Sequence, residues 1–465
     1  MQVKVRFAPS PTGHLHVGNA KIALVNYLFA RKENGRLILR IEDTDLERSD
    51  VSYEQSIIED LKWLGIIWDE GPIRQTDRFS IYQTHAEDLL RKGAAYKCFC
   101  SPETLEQMRE ASLKKGEPPR YDGRCRRLPE PEIANLEASG VPHVIRFKST
   151  NKPVKFRDAI HGEVSFPFNH VDDFILMKNS GTPSYNFAAV IDDLLMGITH
   201  VMRGADHLSN TPKQIMLFEI LGAEPPLYGH LSLLVGEDSK PLSKRHGVTR
   251  IQDFRDIGIL PEALRNYLCT IGRSVTKEVM NMAELISTFS LNSLSRTNSF
   301  FDLEKLYWFN KEYMRGLPLD QLLSYLELSS DHRDQIAVLR ENAISLNEMK
   351  EYLAIFESQT IHDQARSYLS SCSIPDGLLT GVADMYAGDK RPSVEDVVRH
   401  VTETYHLKKK DTFMLLRIFI TGRTNGPPLS EIAELVPSRI ITGRLQTIIE
   451  SKNNSDSNRS ETSKQ

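Results

Sequence analysis

Three groups of residues have types and spacings that can do chemistry. The first is the run Pro9-Ser10-Pro11-Thr12-Gly13-His14-Leu15-His16-Val17-Gly18-Asn19. A helix N-terminus presents unpaired N–H groups and a partial positive charge, so a helix beginning here suits phosphate. Histidine donors such as His14 and His16 can stabilise charge that develops on phosphate oxygens during phosphoryl or adenylyl transfer. Gly18, without a side chain, lets a planar base approach the backbone. A bare H-x-G is equally a turn with solvent-facing histidines; the full run is what makes it specific. No G-x-x-x-x-G-K-[ST] loop occurs in the chain, so ATP would have to bind another way.

The second group is Lys240-Pro241-Leu242-Ser243-Lys244-Arg245-His246-Gly247. Cations on a loop beside a nucleotide can close on the triphosphate and stabilise departing pyrophosphate. Taken alone, the run also fits a solvated basic loop. The third group is Cys98, Cys100 and Cys125. Thiolates favour zinc, and two close cysteines plus a distant third make a knuckle; the alternative is three reduced cysteines in a metal-free fold. Nearby Arg120, Arg124, Arg126 and Arg127 are basic enough to meet an RNA backbone, or simply to sit in water.

The elements that must position these groups follow from periodicity. Val3, Val5 and Phe7 alternate with polar residues as in a strand, a loop follows over Ala8 to Gly13, and Ile22, Val25, Leu28 and Phe29 have helical spacing from about Val17 to Asn34. Gly35 is read as the helix stop. Arg36 to Ile41 is a second strand, ending in Glu42, Asp43 and Asp45. Strand, helix, strand with short links implies parallel pairing, with ligands beyond the carboxyl ends of the strands. A helix follows Ser49 through Ile57, Leu61 and Leu64. Strand signals return at HVIRF, near Ala188 to Ile191 and at Leu231 to Val235. From about 250 the pattern is helical, with Ser393 as N-cap and Val394, Val397, Val398 and Val401 on one face. Residues 451–465 contain no apolar side chain and are read as disordered.

Lys plus Arg is 58 and Asp plus Glu is 62, a net charge of −4, which neither supports nor excludes an RNA partner, because basic residues can cluster on one face. Five scattered cysteines make no disulfide framework and suit a reducing cytoplasm. The N-terminus lacks a signal-peptide pattern, and no apolar run is long enough to span a membrane. A soluble cytoplasmic protein without membrane contact is expected.

The first two groups together resemble the HIGH and KMSKS signatures of class I aminoacyl-tRNA synthetases, as His16-Val17-Gly18-Asn19 and Pro241-Leu242-Ser243-Lys244-Arg245. Pro241 replaces the first lysine of the latter, with Lys240 adjacent. The phrases RFAPSPTGHLHVGNA, LRIEDTD, WLGIIWDEGP, PSYNFAAVIDD, RGADHLSNTPKQ, PLSKRHG, FDLEKLYWFN and LRIFITGRTNGPP are similar, in order and spacing, to bacterial-type glutamyl-tRNA synthetases, from residue 3 to about 450. A second departure is Ala205, where relatives often carry an acid.

The resemblance implies the fold: an α/β class I synthetase Rossmann catalytic domain with an α+β insertion, followed by an all-α anticodon-binding C-terminal region. The implied boundaries are Rossmann halves at 1–80 and 188–250, an acceptor-end insertion at 81–187, a helical stem-contact connector at 251–320 and the anticodon domain at 321–450. It implies ATP-dependent joining of L-glutamate to tRNA-Glu through glutamyl-adenylate, with Mg²⁺ beside ATP, by a monomer. Charging of tRNA-Gln as well is left open. His14, His16 and Lys244 become the catalytic candidates. Gly13, His16, Gly18, Asn19, Ser243 and Lys244 would bind ATP, and Arg6, Ala8, Ser10, Glu42, Tyr185 and Arg203 would surround glutamate. That assignment makes chemical sense: glutamate has two carboxylates, and arginine forks bind carboxylates bidentately. Some relatives follow the last cysteine of the knuckle with a histidine ligand. Arg127 stands there and cannot ligate, so Tyr121 becomes the fourth candidate beside Cys98, Cys100 and Cys125. Lys408, Lys409, Lys410, Arg417 and Arg423 could follow phosphates in the helical region, where unstacked anticodon bases would be read.

Four rivals share part of the pattern. Glutaminyl-tRNA synthetases read the anticodon with β-barrels. A short paralogue that glutamylates a modified base in tRNA-Asp lacks the anticodon domain. A non-catalytic tRNA-binding paralogue would show eroded motifs. A simple H-x-G-H nucleotidyltransferase leaves the helical third unexplained.

Overall fold

The computed structural model describes residues 2–114, 116, 119–150, 152–167, 171–240, 242, 247–388 and 390–462. The chain forms two compact units, residues 1–254 with 264–302, and residues 255–263 with 303–465.

The first unit opens with the βαβ element expected from the sequence: β1 (Lys4–Phe7), α1 (Val17–Lys32) and β2 (Arg36–Ile41). β1 pairs in parallel with β2, and β2 in parallel with β3 (Glu70–Arg74). The helix stop differs from the reading of Gly35. Glu33 caps α1, and Asn34 takes the positive φ of 49°. Gly35 is needed for closeness instead, because a Cβ there would collide with the Val3 carbonyl oxygen. α2 (Val51–Trp63) begins one residue later than Ser49 suggests, with the Asp50 side chain accepting from the Ser52 N–H.

Between β3 and the return to the parallel sheet lie α3 (Phe79–Arg91), an antiparallel sheet of β4 (Ala95–Cys98), β5 (Val144–Phe147) and β8 (Ile175–Met177), and the hairpin of β6 (Val154–Asp158) with β7 (Gly162–Phe166). Two helices, α4 (Pro102–Lys114) and α5 (Glu130–Ala138), connect β4 to β5. The chain then runs through α6 (Tyr185–Leu195) to β9 (His200–Gly204), and through α7 (Thr211–Ile220) to β10 (Leu227–Leu231), which pairs in parallel with β9. Ala188 to Ile191 is therefore helix interior and not strand. The run is buried on all sides, and periodicity cannot separate a buried helix from a buried strand. The Thr199 N–H donates to the Lys4 carbonyl at 2.9 Å, which sets β9 beside β1. The order β3-β2-β1-β9-β10 reverses direction between β1 and β9. A crevice opens beyond the carboxyl ends of strands at such a reversal. The core beneath the sheets includes Ile38, Tyr82, Phe147, Phe187, Phe218 and Tyr228.

Beyond Leu303 every described element of the second unit is helical. The helix Val394–Tyr405 starts as its sequence predicts, with the Ser393 hydroxyl accepting from the Asp396 N–H and Val394, Val397, Val398 and Val401 buried. Arg444, buried in the last helix, donates to the Ile355 carbonyl at 2.7 Å and to the Ser358 and Ile420 carbonyls. It thereby satisfies carbonyls left open at the ends of two helices. That last helix spans Ser438–Thr462, and residues 463–465 of the tail read as disordered lie outside the described residues. Once Ile441, Leu445 and Ile448 pack its start, each further residue adds a hydrogen bond without a new nucleation cost.

Candidate active site

Arg6 lies near the carboxyl end of β1 and Arg203 near that of β9. Glu42 follows β2 directly, Tyr185 opens α6, and Ala8 and Ser10 belong to the loop after β1. All six line one cavity of about 270 Å³. The six expected glutamate contacts are therefore brought together at the strand-order reversal.

A buried charge network sets the direction of these groups. Arg40, fully buried at 0% exposure, donates from Nη1 to Asp193 at 2.7 Å and from Nη2 to Glu42 at 2.9 Å. Arg6 donates from Nε to the same Asp193 oxygen at 3.2 Å. Among the described residues, the Nη groups of Arg6 have no protein partner, so a carboxylate-sized fork faces the cavity. Burial works against the ionised form of Asp193, but Arg6 and Arg40 outweigh it and hold its pKa below the ordinary value. Burial pushes Glu42 upward, opposed by Arg40 and Arg6. An ammonium arriving beside Glu42 would restore its charge balance.

The expected nucleotide side is built on the start of α1. His16 is the N-cap; its Nδ1 accepts the Gly18 N–H at 3.1 Å, and its Nε2 lies 3.3 Å from the Leu242 carbonyl. Nδ1 must therefore be the acceptor and Nε2–H the donor. His16, Gly18 and Asn19 line a second cavity of about 160 Å³, which shares Asn19, Ile22, Gly204 and Asp206 with the first. Gly13 and His14 line neither. His14 is exposed, with its Nδ1 at 3.0 Å from the Ser56 hydroxyl and its ring edge-on to Tyr53. Ser243 and Lys244 lie outside the described residues.

Residues 2–308 match the family described as tRNA synthetases class I (E and Q), catalytic domain, and residues 299–449 match the one described as Anticodon binding domain. The glutamate–tRNA ligase of Carboxydothermus hydrogenoformans is 41% identical over 466 residues, 93% of this chain and 97% of that protein. The chain belongs to the glutamate–tRNA ligase family of class I synthetases. The glutamate–tRNA ligase of Bacillus subtilis is 39% identical over 96% of this chain and 99% of that protein. A crystal structure of a glutamate tRNA ligase from Elizabethkingia meningosepticum, in complex with its amino acid, superposes with a TM-score of 0.83. It is 30% identical, over 97% of this chain and 99% of that one. Family membership and the helical second unit remove the β-barrel reader, and the anticodon-domain match removes the short paralogue.

Sequence reasoning missed several polar residues of this ligase fold. Arg40 sits in the apolar strand RLILRI, and Asp192 and Asp193 end the apolar run of α6; a charge inside an apolar run was the available signal. Lys21, 4% exposed, lines the second cavity, and burial pushes its ammonium down to about 8. Asp206 lines both cavities, and His207 packs against Tyr185 with ring centroids 5.3 Å apart.

Away from these cavities, the sulfurs of Cys98, Cys100 and Cys125 lie within 4.8 Å of one another, with Cys100 and Cys125 at 3.5 Å. The Tyr121 hydroxyl is 3.3 Å from the Cys98 sulfur and 3.8 Å from that of Cys100, and it accepts the Cys125 N–H at 3.1 Å. Tetrahedral zinc with Zn–S near ~2.3 Å sets its sulfurs about 3.8 Å apart, so this donor set fits it. Of the neighbouring arginines, Arg124 pairs with Asp122 and Arg126 with Asp173, while Arg120 and Arg127 are exposed. In the helical unit, Arg417 donates to the Pro427 carbonyl and Arg423 to that of Glu351, whereas Lys408, Lys409 and Lys410 are exposed.

Proposed function

We propose that this chain joins L-glutamate to tRNA-Glu in two steps, using ATP. The observation that carries the reading is the single cavity holding Arg6, Ser10, Glu42, Tyr185 and Arg203, which shares Asn19, Ile22, Gly204 and Asp206 with the His16–Gly18 cavity. Arg6 and Arg203 hold the two carboxylates of glutamate, and Glu42 with Ser10 holds the α-ammonium. The α-carboxylate oxygen attacks the α-phosphorus of ATP. A carboxyl–phosphorus bond forms, and the bond to pyrophosphate breaks. A ribose hydroxyl of the terminal adenosine then attacks the activated carbonyl, and AMP leaves. The Nε2–H of His16 and the cation of Lys244 stabilise charge on phosphate oxygens. Mg²⁺ bound with ATP would neutralise further phosphate charge. The protein positions reactants and supplies charge, and needs no covalent nucleophile. The exposed Lys408–Lys410 stretch offers the helical unit a contact for the anticodon arm. Family membership supports a cytoplasmic monomer, and no described helix is long and apolar enough to cross a membrane.

ATP–pyrophosphate exchange in the presence of tRNA-Glu tests the amino-acid assignment. Glutamate should support exchange roughly 100-fold better than glutamine, the scale of losing a charge-assisted hydrogen bond. Equal exchange with both would reject the assignment of Arg6 and Arg203 to the two carboxylates.

The same reading gives Cys98, Cys100, Cys125 and Tyr121 a structural zinc. Protein purified without chelator should contain one zinc per chain, and Cys125→Ser should lose it and expose the insertion to protease. Folded wild-type protein with no zinc would remove this site.

A further inference from the structure

Arg203 is one of two cations in the amino-acid cavity, and its own supports are unusual. β9 and β10 run in parallel with Arg203 opposite His230. His230 is 0% exposed. Arg203 Nε donates to His230 Nε2 at 3.2 Å, and Arg203 Nη2 donates to the Thr211 hydroxyl at 2.8 Å. That hydroxyl lies 3.0 Å from the same His230 nitrogen, closing a ring of polar atoms. Arg203 Nη1 is taken by Gln214 at 2.9 Å and by the Tyr185 hydroxyl at 3.3 Å. Only one of the guanidinium N–H groups, on Nη2, is left without a partner among the described residues.

The proton on His230 is fixed from behind. Its Nδ1 is 2.6 Å from Asp158 Oδ2, at the end of β6. The other Asp158 oxygen accepts the backbone N–H groups of Ile160 and His161, both at 2.8 Å. A carboxylate in this position takes a proton donor, so Nδ1 carries the hydrogen and Nε2 presents its lone pair to Arg203. The opposite tautomer would set N–H against N–H at 3.2 Å. Burial, chiefly, holds the imidazole below its ordinary pKa, and the Arg203 charge acts in the same sense against the Asp158 hydrogen bond.

We propose that His230, held in one tautomer by Asp158, is a positioning residue that turns the free Nη2 N–H of Arg203 toward the bound amino acid. The inference rests on the reading of Arg203 as a glutamate ligand, and it adds two residues that touch no substrate. None of the motifs that pointed to the site contains His230 or Asp158. A carboxylate on the insertion hairpin thereby sets the aim of a guanidinium on the parallel sheet.

Two half-mimics of the imidazole separate positioning from packing. In His230→Gln the amide oxygen reaches the Nε2 position and can still accept from Arg203. In His230→Asn only the donor toward Asp158 is kept. Asp158→Asn is the mirror test. The two backbone N–H groups fix its amide oxygen, so its NH₂ faces His230, and the imidazole must take the opposing tautomer. Steady-state aminoacylation of tRNA-Glu should show the glutamate KM raised about 10- to 100-fold in His230→Asn and Asp158→Asn. His230→Gln should stay within about threefold of wild type, and KM for ATP and kcat should change by less than about threefold in all three.

Wild-type glutamate KM in His230→Asn and Asp158→Asn, with Arg203→Ala impaired, would overturn the positioning role alone. Wild-type glutamate KM in Arg203→Ala would instead overturn the reading on which it rests. Equal impairment of the Gln and Asn variants, or joint loss of their thermal transitions, would make the pair structural and overturn the proposal.

Discussion

Arg6→Ala lowers kcat/KM for glutamate by about two to three orders of magnitude, ~3–4 kcal/mol, while the fold survives. The side chain is 4% exposed, and its free Nη pair is the one fork in the cavity without a protein partner among the described residues. Removing it leaves a substrate carboxylate desolvated and unpaired, the situation in which truncating one member of a buried charge pair costs 2–5 kcal/mol. Asp193 keeps Arg40, so the network behind the pocket stays neutralised. Arg6→Lys recovers only part of the loss, because an ammonium cannot fork. Steady-state kinetics with varied glutamate, beside a thermal melt, checks this. An unchanged kcat/KM in Arg6→Ala would refute its role.

Arg40→Met acts on stability. Arg40 lines neither of the two cavities, yet it holds Glu42 and Asp193 by hydrogen bonds and lies 3.8 Å from Asp192. Burial works against its charge, but the three carboxylates outweigh that and hold its pKa above the ordinary value. Without it, buried carboxylates lose their shared cation, and the first unit loses about 3–5 kcal/mol. Asp192 still keeps Arg78, Gln75 and Tyr82, which limits the damage. In the wild type the lowered pKa of Asp193 supplies stability that is present above its unfolded value and lost as pH falls through its folded value. The deficit of Arg40→Met is therefore largest near neutral pH and shrinks in acid. Urea unfolding at several pH values measures it, and a pH-independent deficit would contradict the electrostatic origin.

The expected glutamate-side residues were legible because short motifs place them at or just after the carboxyl ends of strands, and parallel topology puts strand ends together. Arg6, Glu42 and Arg203 are such residues. The supports were not legible. Arg40 and Asp193 are 153 positions apart, and Asp158 and His230 are 72 apart. Periodicity says which face of an element is buried, not which distant element meets it. Gly35 failed as a helix stop for a related reason: its requirement comes from Val3, just before the neighbouring strand. Ala188 to Ile191 was misread because full burial erases both periods at once.

The most direct measurement is aminoacylation with labelled glutamate on separate tRNA-Glu and tRNA-Gln transcripts, with labelled glutamine as the control amino acid. Glutamate should be attached to tRNA-Glu, and no glutamine should be attached to either tRNA. Glutamate on tRNA-Gln as well would define a relaxed enzyme within the same account. Folded protein with ATP and Mg²⁺ that charges neither tRNA with glutamate would contradict it and favour a non-catalytic tRNA-binding role.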